Sequence, residues 1–445
     1  MHLPRTIRRA ILVPIVMIAT IIGSDADANE RANPATTMMP PVPRLLPGDT
    51  LALVNIRNAN DLRRDFAKSS VGEMFDDPRL RPFVSDFYQT VATLFDEFAQ
   101  SIGLTFDELL AIPQGSLAIA LIPGAVPQDD DESPLLNSEL TDKEIAREAR
   151  KRRERANSFA AVLIVDAGDR AKDVSELLDR LAMAITDGGA IEVKDTPPGV
   201  RQFVKARGRQ QNGSDQVLEW FRRENWFVIG NDRDTASSIR QIIDESQTSQ
   251  SSPPSTNIAD SKADQRPQSR SELISEIGSL AEHASFSSVM IRSLGAEMEE
   301  PGITFFIDPA NLAKRLIRRG GQSFFVMPIV RDLGLSKIRG VGGGLFRGGD
   351  IYDGISHLHV VIDPPRDGFF GVLRPEPVSL SPPSWVPTEI SSYNAFGWDI
   401  ETTFNNIGKI VSRFGGEGQF EKFIDRSFQR PFDWDIREVL ISKVT

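Results

Sequence analysis

Two histidines and an aspartate recur at alternating positions near the end of a long apolar segment. The segment is HLHVVID at residues 357–363. Successive side chains of a β-strand point to opposite faces, so His357, His359 and Asp363 would share one face. Two imidazoles and a carboxylate on one face form a ligand set for zinc or iron. His357, His359 and Asp363 are therefore the candidate metal ligands.

This spacing is similar to the His-x-His strand of metal-dependent hydrolases. The similarity implies a metal-dependent extracytoplasmic hydrolase as one alternative function. The other explanation is that the three residues are the polar face of a half-buried strand, with the intervening Leu358 and Val360 on its apolar face. His2 lies in a segment that we expect to be removed, so any metal would need carboxylates for its remaining ligands.

Other catalytic patterns are not matched. The glycines between residues 340 and 349 fit neither G-x-G-x-x-G nor the P-loop, and they favour a hairpin. Residues 354–358, GISHL, begin like a nucleophile elbow but lack its last glycine. We therefore assign no catalytic residue and no cofactor, and we expect a non-enzymatic role.

Two tryptophans flank a predicted turn. Trp220 is the next-to-last residue of one predicted strand, residues 216–221, and Trp226 begins the next, residues 226–229. Aromatic side chains beside a turn could line a glycan- or peptide-binding site, which is a second alternative function. Cross-strand aromatic packing is the more common role of such residues.

The N-terminus has the pattern of an export signal. Arg5, Arg8 and Arg9 precede an apolar run at residues 10–22, and Ala26-Asp27-Ala28 is a small-x-small cleavage site. The apolar run is shorter than the roughly 20 residues that span a bilayer. We expect residues 1–28 to be a cleaved signal peptide, an uncleaved anchor being the alternative, and the mature protein to be periplasmic, in the cell envelope or secreted, with no membrane span.

Charge and cysteine content exclude several classes of protein. Removing the signal takes away three Arg and two Asp, so the net charge moves from −11 to −12. Such an acidic chain repels phosphate backbones, and nucleic acid is excluded as a partner. The chain has no cysteine, which excludes disulfides, thiol catalysis and thiolate metal sites.

Strand-turn-helix units recur along the chain, beginning near residues 51, 160, 226, 303 and 392, without a fixed period. This order predicts an α+β fold with a mixed, mostly antiparallel sheet and amphipathic helices packed on it. The expected organisation is a disordered tether at 29–46, a first α+β domain at 47–246 with a charged helical insertion at 129–156, a disordered linker at 247–270, a second part of that domain with a long hairpin at 271–384, and the start of a second, truncated copy at 385–445.

The second copy is predicted from a local similarity. Asp399, Ile400 and Phe404 fall where Asp61, Leu62 and Phe66 fall in the opening unit, once two residues are deleted. We therefore expect the chain to be a fragment, or to lack most of a second domain.

Several phrases resemble a family of large exported bacterial proteins of unknown function, best represented in planctomycete-type bacteria. They are LPGDTLALVNI, DDPRLRPF, FDELLAIPQGSLAIALIP, SLAEHASF and DPPRDGFFGVL, which span most of residues 46–373. The resemblance implies an extracytoplasmic α+β protein and supplies no catalytic residue. The charged insertion, the linker and the early end depart from its compact pattern.

Together these patterns predict an exported, non-enzymatic envelope or surface protein with a structural or macromolecule-interaction role. Its partner would be an envelope protein or a glycan. The oligomeric state is open at this point.

Overall fold

A computed structural model describes residues 39–86, 89–90, 108, 111–124, 159–206, 216–251, 278–295, 297, 299–319, 333–348, 353–366, 368–373, 375–379, 381–387, 393, 395–432 and 435. The predicted signal peptide, the charged insertion and the linker beyond Ser251 lie outside these residues. The chain divides into two compact units, the first being Met1–Arg319 with Gly340–Val361 and the second Gly320–Arg339 with Ile362–Thr445. The second unit thus begins earlier than the boundary predicted at residue 385.

In the described part of the chain, ten strands form one sheet. They are β1 (Ala52–Ile56), β2 (Leu117–Pro123), β3 (Phe159–Asp166), β4 (Ile191–Val193), β5 (Val200–Lys205), β6 (Gln216–Arg223), β7 (Trp226–Gly230), β8 (Ile303–Ile307), β9 (Ile338–Arg347) and β10 (Gly354–Ile362). Their order is β10-β9-β8-β1-β2-β3-β7-β6-β5-β4. Every described register is antiparallel. The predicted α+β class with a mostly antiparallel sheet is confirmed.

The first unit also contains helices α1 (Val42–Leu45), α2 (Ala59–Ala67), α3 (Ser70–Asp76), α4 (Ala171–Asp187), α5 (Thr235–Ser251), α6 (Ala284–Leu294) and α7 (Pro309–Arg319). α5 runs to Ser251, so the first residues of the predicted linker are helical instead of disordered. The strand-turn-helix order arises locally. The apolar strand β1 ends at Ile56, and the Asn58 side chain then accepts the N–H of Asp61 at 3.0 Å, which begins α2.

The register sorts the side chains of the sheet onto two faces, each with its own hydrophobic core. The α4 face packs against Val174, Leu178 and Ala182 of α4 and carries Ile56, Leu117, Val165, Trp220, Phe227 and Ile303. The α5 face packs against α1, α5 and α6 and carries Leu53, Ala120, Val162, Phe221, Val228 and Phe306. Because β8 pairs with β1, the chain on both sides of the predicted linker contributes to one sheet.

The predicted disordered tether, residues 29–46, extends too far along the chain, because ordered structure begins before residue 46. Residues Val42–Leu45 form α1, and Leu45 and Leu46 are fully buried in the core of the α5 face. Proline-rich composition suggested an extended segment, but Pro43 lies in the first turn of a helix, where its missing N–H costs nothing. Burial of two leucines then offsets the entropy of ordering this short segment.

The second unit differs from a repeat of the opening unit. Its helices are α8 (Phe369–Val372), α9 (Ile400–Gly415), α10 (Gln419–Ile424) and α11 (Arg430–Phe432), and its strands β11 (Pro375–Glu376) and β12 (Gly397–Trp398) pair with each other. The carboxylate of Asp399 accepts the N–H of Thr402 at 2.8 Å and begins α9. In the opening unit Asn58 has this role, and Asp61 lies inside the first turn, so the predicted equivalence of Asp61 and Asp399 does not hold.

Candidate functional site

His357 on β10 forms a hydrogen-bonded pair with Glu297 that the sequence did not reveal. Its Nε2 lies 2.7 Å from Oε1 of Glu297, and both side chains are about four-fifths buried, at 21 % and 20 % exposed. The ring also packs edge-on against Phe346 of β9, with centroids 5.3 Å apart. Glu297 lies 60 residues earlier in the chain, after the end of α6. No local pattern connects the two positions, so sequence reasoning missed this partner.

His359 stacks on His357 with ring centroids 6.0 Å apart and an angle of 5° between the planes. Its Nε2 atom is buried and has no hydrogen-bond partner within the described part of the chain. Gly342 on β9 lies opposite Phe306, a residue of the α5 face, and Phe346 is four residues after Gly342, so Phe346 is on the α5 face too. His357 packs against Phe346 and His359 stacks on His357, so both histidines are on this face. The histidines therefore lie on the more covered side of β10.

Asp363 lies in the second unit, where its Oδ2 accepts a hydrogen bond from Nε of Arg339. The predicted ligands thus have separate partners: a carboxylate for His357 and a guanidinium for Asp363. Among the residues that the structure describes, no group of three or more His, Asp or Glu side chains is placed to hold a metal ion. The predicted metal site stays a prediction without geometric support.

The His357–Glu297 pair has the composition of a general base with its orienting carboxylate. Such a base acts only when a nucleophile or substrate proton comes within hydrogen-bond reach. Within the described part of the chain, the Phe346 ring, the His359 ring and the Glu297 carboxylate contact the His357 ring. This arrangement positions β10 against the segment after α6, and we assign it a structural role.

Trp220 and Trp226 lie on opposite faces of the sheet. Trp220 lies opposite Ile229 of β7, so the two side chains share one face of the sheet. Trp226 is three residues before Ile229 on β7, an odd separation, so its side chain points to the other face. Trp220 is buried and stacks on Phe203 of β5 with centroids 4.9 Å apart. The aromatic packing is therefore cross-strand, as the sequence suggested, but its partner is Phe203, and the two tryptophans do not line one site.

A buried carboxylate on β6 was also missed. Glu219 is fully buried and accepts hydrogen bonds from the N–H of Ala236 at 2.9 Å and from the Ser237 hydroxyl. Burial raises the pKa of Glu219, against the opposing effect of these hydrogen bonds. The signal was a carboxylate within the apolar strand 217–221, VLEWF. The carboxylate oxygens of Glu219 accept hydrogen bonds from the first N–H groups of α5. Glu219 is therefore a helix cap instead of a catalytic acid.

The glycine-rich segment is strand β9, and close packing explains its composition. A Cβ on Gly340 would meet the Phe306 ring at 2.7 Å and Cβ of Ser285 on α6 at 3.2 Å. A Cβ on Gly343 would fall on the backbone carbonyl of His357. The glycines thus allow α6 and β10 to approach β9, and no phosphate-binding role is needed to explain them.

The apolar face of β10 is its exposed face, whereas the apolar face of a half-buried strand is expected to be the buried one. Ile303 on β8 is 9 % exposed, its neighbour Leu345 on β9 is 37 % exposed, and Leu358 on β10 is 65 % exposed. Alternation from His357 places Leu358 and Val360 on the α4 face, as Leu345 is. We call Ile307, Leu345, Leu358 and Val360 the apolar strip. It continues the α4 face beyond its covered part.

No helix among the described residues combines the length and the apolar character that crossing a membrane requires. In comparisons with known proteins, no family model, no curated protein and no solved structure matches this chain.

Proposed function

We propose that this protein is an exported, non-enzymatic envelope or surface protein that binds another macromolecule through β10 and the apolar strip. The N-terminal pattern of residues 1–28 supports export. The observation that carries the interaction role is the 65 % exposure of Leu358, at the centre of a long edge strand. Exposed apolar side chains that form a patch are typical of interaction sites.

The edge itself supports the same proposal. In the described part of the chain, β10 is a terminal strand of the sheet, so no strand pairs with its outer side. Its residues, GISHLHVVI, include no Lys, Arg, Asp, Glu or Pro. Native proteins usually protect an open edge with such residues, with a bulge or with a short strand. An unprotected edge with an adjoining apolar face suits recognition by strand addition.

Site-specific photo-cross-linking tests the interaction. A photoreactive phenylalanine analogue replaces Leu358 in the native cells, and the matched control carries it at Ile191, a 73 % exposed residue of the opposite edge strand β4. We expect a covalent adduct to a macromolecule from position 358 and none from position 191. The absence of an adduct at 358, or equal adducts at both, would contradict the proposal.

Export is tested separately. Cell fractionation with N-terminal sequencing should find the protein outside the cytoplasm and starting at Asn29. Full-length protein in the cytoplasmic fraction would contradict export.

The metal-dependent hydrolase remains a predicted alternative, and no contact favours it over a structural role for His357. Metal analysis of protein purified from its native envelope distinguishes the two. A stoichiometric metal that is lost when His357 and His359 are replaced would overturn the non-enzymatic proposal.

A further inference from the structure

The second unit contains a cavity between two of its helices. α9 and α10 are joined by a short turn at residues 416–418, and the cavity beside this turn has a volume of about 420 Å³. Small-molecule sites in proteins have volumes of roughly 300–1,000 Å³. Side chains from both helices and from the turn line the cavity, so one helix-turn-helix element shapes it.

The apolar part of the lining is aromatic. Phe420 of α10 is 5 % exposed, and its ring meets the ring of Phe404 of α9 edge-on, with centroids 5.0 Å apart. Gly408, one turn after Phe404, allows this approach, because a Cβ at Gly408 would lie 2.9 Å from the Phe420 ring. The two rings offer a surface on which an aromatic group of a ligand can pack.

Hydrogen-bond donors line the cavity along one side of α9. Asn405, Lys409 and Ser412 are separated by four and by three residues, which places them on the same side of the helix. They bring an amide, an ammonium and a hydroxyl to the cavity, and each of these groups can donate a hydrogen bond. A carboxylate is the ligand group that gains most from donors that include a full positive charge.

Two carboxylates line the same cavity. Glu417 lies in the turn and Glu421 in α10. In the described part of the chain neither forms an ion pair with Lys409, whose ammonium donates to the side-chain oxygen of Asn406 at 3.2 Å. Charges of both signs thus line one cavity without neutralising each other, and a ligand that carries both signs complements them.

We propose that this cavity binds a free amino acid with an aromatic side chain. The carboxylate of the amino acid binds Lys409, its ammonium binds Glu417 and Glu421, and its ring packs against Phe404 and Phe420. An amino acid carries its carboxylate and its ammonium on the same carbon atom, so one small molecule satisfies both sets of charges. This site is separate from β10, and either proposal can fail without the other.

Saturation-transfer NMR with L-phenylalanine as the probe tests the proposal on the full exported protein. Because the charged side chains of the lining are exposed, solvent weakens each contact, and we expect saturable binding with a dissociation constant of about 1 mM. 3-Phenylpropanoate lacks the ammonium and 2-phenylethylamine lacks the carboxylate, so each should bind about fivefold more weakly. Equal affinity for the three compounds, or no saturation with phenylalanine up to about 10 mM, would overturn the proposal.

Variants locate the binding. Lys409→Gln should weaken phenylalanine binding about fivefold, whereas the matched control Lys422→Gln, which removes an exposed charge of α10 outside the described lining, should leave it unchanged. Ser412→Phe fills the cavity and should abolish binding with an unchanged circular dichroism spectrum. Wild-type affinity in Lys409→Gln or in folded Ser412→Phe, or an equal loss in Lys422→Gln, would show that the cavity is not the site.

Discussion

The two edges of the sheet are built on opposite principles. β4 has three residues, and its Glu192 accepts a 2.8 Å hydrogen bond from Arg201 of the neighbouring strand; Lys194 and Asp195 follow directly. β10 has nine residues and no charged side chain. A short, charged edge discourages strand addition, whereas a long, uncharged edge permits it. Among the described strands, this difference supports the proposal that the β10 end of the sheet is the binding edge.

The contacts that hold the sheet together near its two edges differ as well. Toward β4, the charged groups are held by several partners: Glu219 by the first residues of α5, and Arg201 by Asp179 and Glu192. Toward β10, close backbone packing and the His357–Glu297 pair hold the strand. Substitutions at the two ends should therefore have separable effects.

The largest effect is expected from Gly343→Ala on β9. The new Cβ would fall on the carbonyl of His357, and neither backbone can move without breaking the β9–β10 ladder. We expect a loss of about 3 kcal/mol in the free energy of unfolding. Hydrogen exchange of the β9 and β10 amides, with urea unfolding, measures it. Gly354→Ala is the control, since its Cβ would contact the nearest atom at an ordinary 3.4 Å. Equal losses in both variants would contradict the packing argument.

The next effect is expected at the other end, from Glu219→Ala. It leaves the buried N–H of Ala236 and the partly buried hydroxyl of Ser237 without this acceptor, which costs about 2 kcal/mol. Urea unfolding measures the loss, and Glu192→Ala on the exposed edge, at about 0.5 kcal/mol, is the control. If the two variants unfold alike, Glu219 does not cap α5.

The raised pKa of Glu219 predicts the direction in which the stability of the fold changes with pH. Because burial raises the pKa of Glu219 above its ordinary value of 4.5, the folded protein binds this proton more tightly than the unfolded chain does. Its contribution to stability is fully present below pH 4.5 and is lost as the pH rises through the folded pKa. The wild type should thus lose stability relative to Glu219→Gln as the pH rises. A constant difference between pH 4 and pH 8 would contradict the raised pKa.

Sequence reasoning found the strands well, and it failed on contacts between distant segments. β3 and β8 begin close to the predicted positions 160 and 303, because each is a short apolar run that ends at an aspartate, Asp166 or Asp308. Glu297 could not be found, since nothing in the chain near His357 specifies a partner 60 residues away. Alternation along β10 identified its two faces correctly. It could not tell which face is covered, because coverage depends on where α4 and α6 lie.

A double-mutant cycle on His357 and Glu297 measures how firmly β10 is held. Because both side chains are about four-fifths buried, removing the pair should show a coupling energy of about 1.5 kcal/mol. The exposed pair Arg57–Glu300, 3.5 Å apart, is the matched control and should show a coupling near zero. If both cycles give the same energy, the His357–Glu297 contact does not position the strand.

The smallest effect is expected from Arg201→Lys, near the β4 edge. Arg201 donates to Glu192 and Asp179, each at 2.8 Å, while its guanidinium lies 5.2 Å from the Phe203 ring centroid. Lysine keeps the charge but cannot hold both carboxylates in this geometry or stack in the same way. Solvent screens these partly exposed groups, so the loss should be about 0.5 kcal/mol and should shrink with added salt. Hydrogen exchange should quicken in β4 and stay unchanged in β10. If exchange in β10 quickens equally, the two edges are coupled and do not act as separate regions.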